Sequence, residues 1–137
     1  MKSKIIWALL LSLQASLCAA QDKPNPIDQW LAQAIQKDSS TAGVRDATNV
    51  ARQKWDAQLN KSYQHLLNRL PADKRELLRT SQRNWIRFRD SEGAVISDVI
   101  GAQQGTLFQV VATDSWMQVT RTRALQIEAY DLAYEGE

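Results

Sequence analysis

Apolar side chains recur with a helical period from Ile27 to Leu132, and no stretch alternates in the two-residue rhythm of a strand. Ile27, Trp30, Leu31, Ala34 and Ile35 fall at i, i+3, i+4, i+7 and i+8, which predicts a short amphipathic helix. Asp38 to Gly43 interrupts it and offers several oxygens to cap the next helix. This second helix is predicted from Val44 to Leu70, with Ala51, Trp55, Leu59, Tyr63, Leu66, Leu67 and Leu70 on its apolar face. Pro71 suits the first turn of a third helix, and Asp73 and Glu76 complement the positive end of its dipole. That helix carries Leu77, Leu78, Ser81, Trp85, Phe88, Glu92, Val95 and Val99, a spacing close to 3.5. Gly101 to Thr106 ends it, and a fourth helix runs from Leu107 to Tyr134. A tight turn at Pro71 sets its two long helices antiparallel. The fold expected is all-α: a small bundle of three long antiparallel helices plus one short N-terminal helix over residues 27–134.

The first residues have a different pattern. Lys2 and Lys4 precede the apolar run Ile5 to Leu13, and a more polar stretch ends in the small residues Ala19 and Ala20. These are the parts of a secretory signal peptide, residues 1–20. The run is far shorter than the roughly 20 residues that span a bilayer, so no membrane span is expected in the mature chain. Cleavage after Ala20 directs the protein to the periplasm or the exterior. Leu17 before Cys18 disfavours lipoprotein processing, which wants a small residue there. Gln21 to Pro26 reads as a flexible lead-in.

Cleavage changes the charge. The chain has 17 basic and 15 acidic residues; losing Lys2 and Lys4 with the leader leaves the mature domain neutral, which argues against a nucleic-acid partner. Cys18, the single cysteine, leaves as well, so the domain must hold together by packing.

Catalytic chemistry finds no foothold. His65 is the only histidine and sits in an ordinary helix beside Leu66. No Gly-x-Ser-x-Gly or Ser-x-x-Lys motif occurs, and no residues are spaced as metal ligands. Asp90 and Glu92 point about 200° apart on a helix and cannot act as an acid–base pair. Neither catalysis nor a cofactor or metal is expected. Arg75, Arg79, Arg83 and Arg87 recur every fourth residue of the third helix. They form either a solvated face or a stripe that docks an acidic partner, anionic lipid or glycan.

Two segments stand out. Trp55, Asp56, Leu59, Asn60 and Tyr63 lie on the second helix; Gln82, Trp85, Arg89 and Asp90, with Arg83 and Phe88, lie on the third. In each, an aromatic core residue has polar neighbours a turn away. Asp56, Asn60, Gln82, Arg89 and Asp90 are expected to border the apolar seam with mutual hydrogen bonds that fix helix register.

These segments, with Gly105, Thr106, Thr120, either Arg123 or the nearby Arg121, and Leu125, resemble the LprI-like lysozyme-inhibitor family of small exported bacterial proteins. The resemblance covers residues 27–132. It implies a non-catalytic binding protein whose partner is a lysozyme-type muramidase. Another envelope protein, in an interaction or immunity-type module, remains an alternative partner, as does anionic lipid or glycan through the arginine stripe. An inhibitor of this kind can insert a loop side chain into the enzyme's cleft, and Gln103, Gln104 and Thr106 are available for that. A neutral domain gains no net electrostatic steering toward a cationic lysozyme. The chain also departs from the family, whose members usually carry cysteines near the positions of Trp30, Ala47, Gly93 and Trp116. Two bulky and two minimal residues stand there instead, which suggests tryptophans packed over small residues in place of disulfides; which pairs with which is open.

Overall fold

The computed structural model describes residues 24–135; the predicted leader and the first residues of the lead-in lie outside them. Helix α1 is Pro26–Lys37, α2 Thr41–Arg69, α3 Ala72–Val95 and α4 Thr106–Ala133, and no strand occurs among the described residues. The helix starts obey local chemistry. Asn25 Oδ1 accepts from the Ile27 amide at 2.8 Å, and Ser40 Oγ accepts from the Gly43 amide at 3.0 Å. Pro71 is itself the cap of α3. Gly105 precedes α4 with φ of 107°, a conformation that favours glycine.

Successive long helices alternate in direction, so α2 and α4 run parallel. These two make the most extensive contact in the molecule. Ala51, Trp55, Leu59 and Leu66 of α2 meet Met117, Ala124 and Ile127 of α4, and Leu78 of α3 closes one end of this core. Helix α1 lies along α2 and is held to α4 by Asp28, whose carboxylate takes three hydrogen bonds from Arg121, at 3.0, 3.3 and 2.7 Å. The far end of α2 is fastened to the end of α4. There Asp131 meets His65 Nδ1 at 2.6 Å and Arg69 at 2.8 Å, and Arg69 also donates to the Tyr134 carbonyl.

Helix α3 departs from the expected seam. Leu78, Gly93 and the adjoining Ile96 are buried, with Gln82, Trp85 and Arg89 half-buried on the same inward line. Leu77, Phe88, Val95 and Val99 face solvent, at 72%, 52%, 49% and 58% exposure. The inward line is thus offset by about one residue from the apolar one. The cause is tertiary: Trp116 of α4 occupies the space that a side chain at position 93 would fill, and a Cβ on Gly93 would overlap its indole. The bulky residue at 116 therefore packs over the small one at 93. Trp30, the other tryptophan in a cysteine position, lies beneath Lys54 Nζ, 4.8 Å from the ring centroid.

Beyond Val95 the helix continues as a π-helical turn, Ile96–Gly101, that packs against both α3 and α4. Gln109 Nε2 ties it to α4 by donating to the Gly101 carbonyl at 2.8 Å.

The Gly93–Trp116 contact generates a test. Gly93→Ala should gain helix propensity of about 1 kcal/mol yet lose more than that to overpacking, which typically costs about 1–3 kcal/mol. The net change should be a loss of stability in urea, and combining it with Trp116→Leu should recover most of it. Stabilisation by Gly93→Ala alone would refute the contact.

Candidate functional site

The two motif segments come together only in part. On α2, Trp55 and Leu59 are core residues, at 0% and 1% exposure, and Tyr63 is half-buried beside them. Asp56 and Asn60 point outward and bond each other, Asn60 Nδ2 donating to Asp56 Oδ2 at 3.2 Å. On α3, Arg89 donates twice to its neighbour Asp90, at 3.0 and 2.7 Å. Asp56, Arg89 and Asp90 do converge. With Arg52, Gln53, Trp116 and Thr120 they line an open cleft of about 380 Å³ between α2, α3 and α4.

Gln82 and Trp85 belong to a different network, organised by a residue of the fourth helix. Arg123 is 5% exposed. Its Nε donates to Gln82 Oε1 at 3.0 Å, one Nη to Ser81 Oγ at 3.0 Å and the other to Gln126 Oε1 at 2.6 Å. Its guanidinium stands 5.9 Å from the Trp85 ring centroid, and that of Arg89 stands 5.5 Å away. Burial pushes the Arg123 pKa below its ordinary value, although a guanidinium stays charged at any physiological pH. The planar fork suits three neutral oxygens, and a lysine could not match it. So the mutual network expected of Asp56, Asn60, Gln82, Arg89 and Asp90 is divided into local pairs, and the cross-helix contact is Gln82 with Arg123. A signal for Arg123 was present: it falls on the inward rhythm Thr120, Ala124, Ile127, where a charge must find partners.

Arg121, two residues earlier, faces the other side. Besides clasping Asp28 it lies 5.3 Å from the centroid of the Trp55 ring. Its pKa is raised, chiefly by the hydrogen bonds to Asp28.

The arginine stripe runs along α3, with Arg79, Arg83 and Arg87 exposed and Arg75 half-buried. Glu76 engages two of its members, Arg83 at 2.9 Å and Arg79 at 3.7 Å, and Arg83 holds the Glu76 carboxyl below its ordinary pKa. Arg87 leans on Asn84. Among the described residues no group of three or more His, Cys, Asp or Glu side chains is placed to hold a metal, and no helix is long and apolar enough to cross a membrane.

One electrostatic feature was hidden by the neutral total. From Asp90 to Thr120 the chain carries Asp90, Glu92, Asp98 and Asp114 and not one lysine or arginine. This segment contains the π-helical turn and the loop before α4, with Gln103, Gln104 and Thr106 exposed at its tip. From Arg69 to Arg89 the balance is reversed, with Arg69, Lys74, Arg75, Arg79, Arg83, Arg87 and Arg89 against Asp73 and Glu76. Along the chain, therefore, a basic stretch precedes an acidic one; in space Arg52 joins Asp90 in the cleft, and Asp131 pairs with Arg69 at the Pro71 end.

The motif residues lie within a match to a known family. The sequence model of the lysozyme inhibitor LprI matches residues 32–127. The chain belongs to the LprI family. That match holds every motif residue and Arg123, while Asp28 and Trp30 precede it. An uncharacterised protein from Burkholderia thailandensis, known from its crystal structure, is 32% identical with a TM-score of 0.77. The similarity covers 82% of this chain and 57% of that one, so this LprI chain spans little more than half the length of its solved relative. Curated proteins yield no match.

The Arg123 network and the cleft should respond differently to substitution. Gln82→Leu leaves buried Arg123 donors unpaired and should cost about 1–3 kcal/mol of unfolding free energy. Asp90→Asn, on an exposed carboxylate, should change stability by less than about 0.5 kcal/mol. Equal effects in urea titrations would mean that Arg123 does not dock α3.

Proposed function

We propose that this LprI-family domain is an exported, non-catalytic binder of lysozyme-type muramidases and presents its acidic tip to the enzyme. Export rests on the predicted leader, residues 1–20. The partner class rests on family membership. The observation that carries the choice of surface is the run from Asp90 to Thr120, with four carboxylates and no basic side chain. A cationic enzyme can be steered toward such a local run of carboxylates without any net charge on the domain. The tip places Gln104 between the π-helical turn and α4, on a loop flanked by anchored helices, which limits the ordering cost of binding.

Docking of anionic lipid or glycan on Arg75, Arg79, Arg83 and Arg87 has less support, because Glu76 already engages two of those guanidiniums.

The reading is tested by lysozyme-driven clearing of a bacterial suspension. Stoichiometric protein should slow it, less effectively as salt is raised. Gln104→Lys combined with Asp114→Lys should weaken inhibition by about tenfold or more, mainly through slower association. Neither inhibition nor binding at micromolar concentration would overturn the reading.

A further inference from the structure

The cleft between α2, α3 and α4 holds more hydrogen-bonding capacity than its own residues use. Arg52 is half-buried on the α2 wall, and among the described residues no hydrogen bond, ion pair or ring contact engages it. Its Nε is removed from water without a partner. Two carboxylates line the same cleft, and neither pairs with it: Asp56 takes the amide of Asn60, and Asp90 takes Arg89. Thr120 lines the cleft at 4% exposure, and its hydroxyl reaches only the Trp116 carbonyl, at 3.5 Å. That is well beyond the usual length of an O–H···O bond. A buried polar group left unpaired destabilises the fold, so each of these two has room for a partner from outside.

Shape and lining narrow the chemistry of that partner. A second hollow of about 300 Å³ adjoins the first, and Arg52 and Trp116 border both. Asn49, Gln109 and Thr113 help to line it. From Asn49 to Asp56 the groove follows seven residues of α2, about 10 Å along the helix, which is room for two linked six-membered rings. Side-chain amides, hydroxyls, carboxylates and guanidiniums surround one indole. Groups that both give and take hydrogen bonds match the hydroxyls of a sugar, and an indole takes the C–H side of its ring. A hydrocarbon ligand would strand these polar groups. A phosphate dianion would face Asp56 and Asp90, and like charges repel. A neutral sugar would leave Arg52 unpaired. One carboxylate on a sugar ring meets every condition, because a guanidinium takes a carboxylate in a two-pronged pair.

We infer that this groove binds an acidic saccharide, a sugar ring bearing one carboxylate, which pairs with the Arg52 guanidinium. The ring then lies against Trp116 with its hydroxyls toward Gln53, Asp56 and Thr120, and a second ring extends toward Asn49 and Thr113. Arg89 is held by Asp90 and by the Trp85 ring, so it shapes the wall and leaves the anion to Arg52. The arginine stripe takes no part, since none of its four members lines either hollow. Two sources offer the required chemistry: a uronic acid, with its carboxylate on the ring, and a muramic acid, with its carboxylate on a lactyl ether.

Calorimetric titration of the full chain with glucuronic acid and with N-acetylmuramic acid tests this. At least one should bind saturably at millimolar concentration or below, and the tighter of the two identifies the source. Its neutral counterpart, glucose or N-acetylglucosamine, should bind about tenfold more weakly or not at all. Arg52→Gln should erase the difference between acid and neutral sugar with an unchanged helical spectrum. Arg52→Lys, which keeps the charge without the fork, should retain part of it. Thr120→Val, on a different helix, should weaken the acidic sugar several-fold. In nitrogen-correlated spectra the Arg52 Nε–H signal should move as the acidic sugar is added. No saturable binding of either acid overturns the proposal, as does equal binding of acid and neutral sugar or a difference that survives Arg52→Gln. Free glutamate binding as tightly as the acidic sugars overturns it too, because the site would then read a carboxylate without the ring. Lysozyme takes no part in these titrations, so failure here and failure of the muramidase reading are distinguishable.

Discussion

The rest of the structure depends on the packing of α2 against α4. Trp55, Leu59, Met117 and Ile127 are almost wholly removed from water, and each such side chain stabilises by about 1.5–3 kcal/mol. A disulfide contributes about 2–4 kcal/mol, so one or two well-packed side chains of this kind match it in energy. Charge fastens the pair at its middle and at one end. Arg121 brings Asp28 and α1 over Trp55, and Asp131 gathers His65 and Arg69 at the end. The indole N–H of Trp55 has no hydrogen-bond partner among the described residues. The seam accepts that penalty, about 1–3 kcal/mol, for the apolar area the ring buries.

Attachment of α3 is of another kind. Its inward line contains one large aliphatic residue, Leu78, and otherwise Gln82, Trp85, Arg89 and Gly93. The helix is docked by hydrogen bonds to a buried guanidinium and by an indole seated on a glycine. Such contacts specify register more than they supply energy, because the polar groups had been hydrated in the unfolded chain. They also leave a groove between α3 and α4, lined by Phe88, Gln118, Val119 and Thr122. Positioning of the π-helical tip and exposure of the Leu77–Val99 line therefore share one cause: α3 uses its polar side to join the bundle.

Much of this was legible in the residues. Helical period, the cap within Asp38 to Gly43 and the turn at Pro71 arise from local chemistry, and the chain folds accordingly; the Asn25 cap lay in a stretch read as a flexible lead-in. The role of Trp55 as core also comes from spacing. What misled was α3, where counting apolar residues favours Leu77, Phe88 and Val95 as the buried line. Burial there is decided by Trp116 and Arg123, whose positions belong to another helix and leave no trace in the periodicity of α3. For the same reason the partners of Gln82, Arg89 and Asp90 were not readable: a polar residue bonds whatever lies opposite, and facing residues are set by helix rotation. The large-over-small exchange was legible as a composition, whereas its pairing of 93 with 116 needed three dimensions. Net charge concealed what charge order shows, a basic stretch followed by an acidic one.

The central claim is that α2 and α4 form the stable unit and α3 rides on it. Hydrogen exchange read by mass spectrometry on dilute protein tests this directly, since local openings reveal themselves as separate, less protected segments. Peptides from α2 around Trp55 and Leu59 and from α4 around Met117 and Ala124 should share the slowest exchange. Peptides from α3 should exchange faster. Protection of α3 equal to that of α2 and α4 would contradict the account.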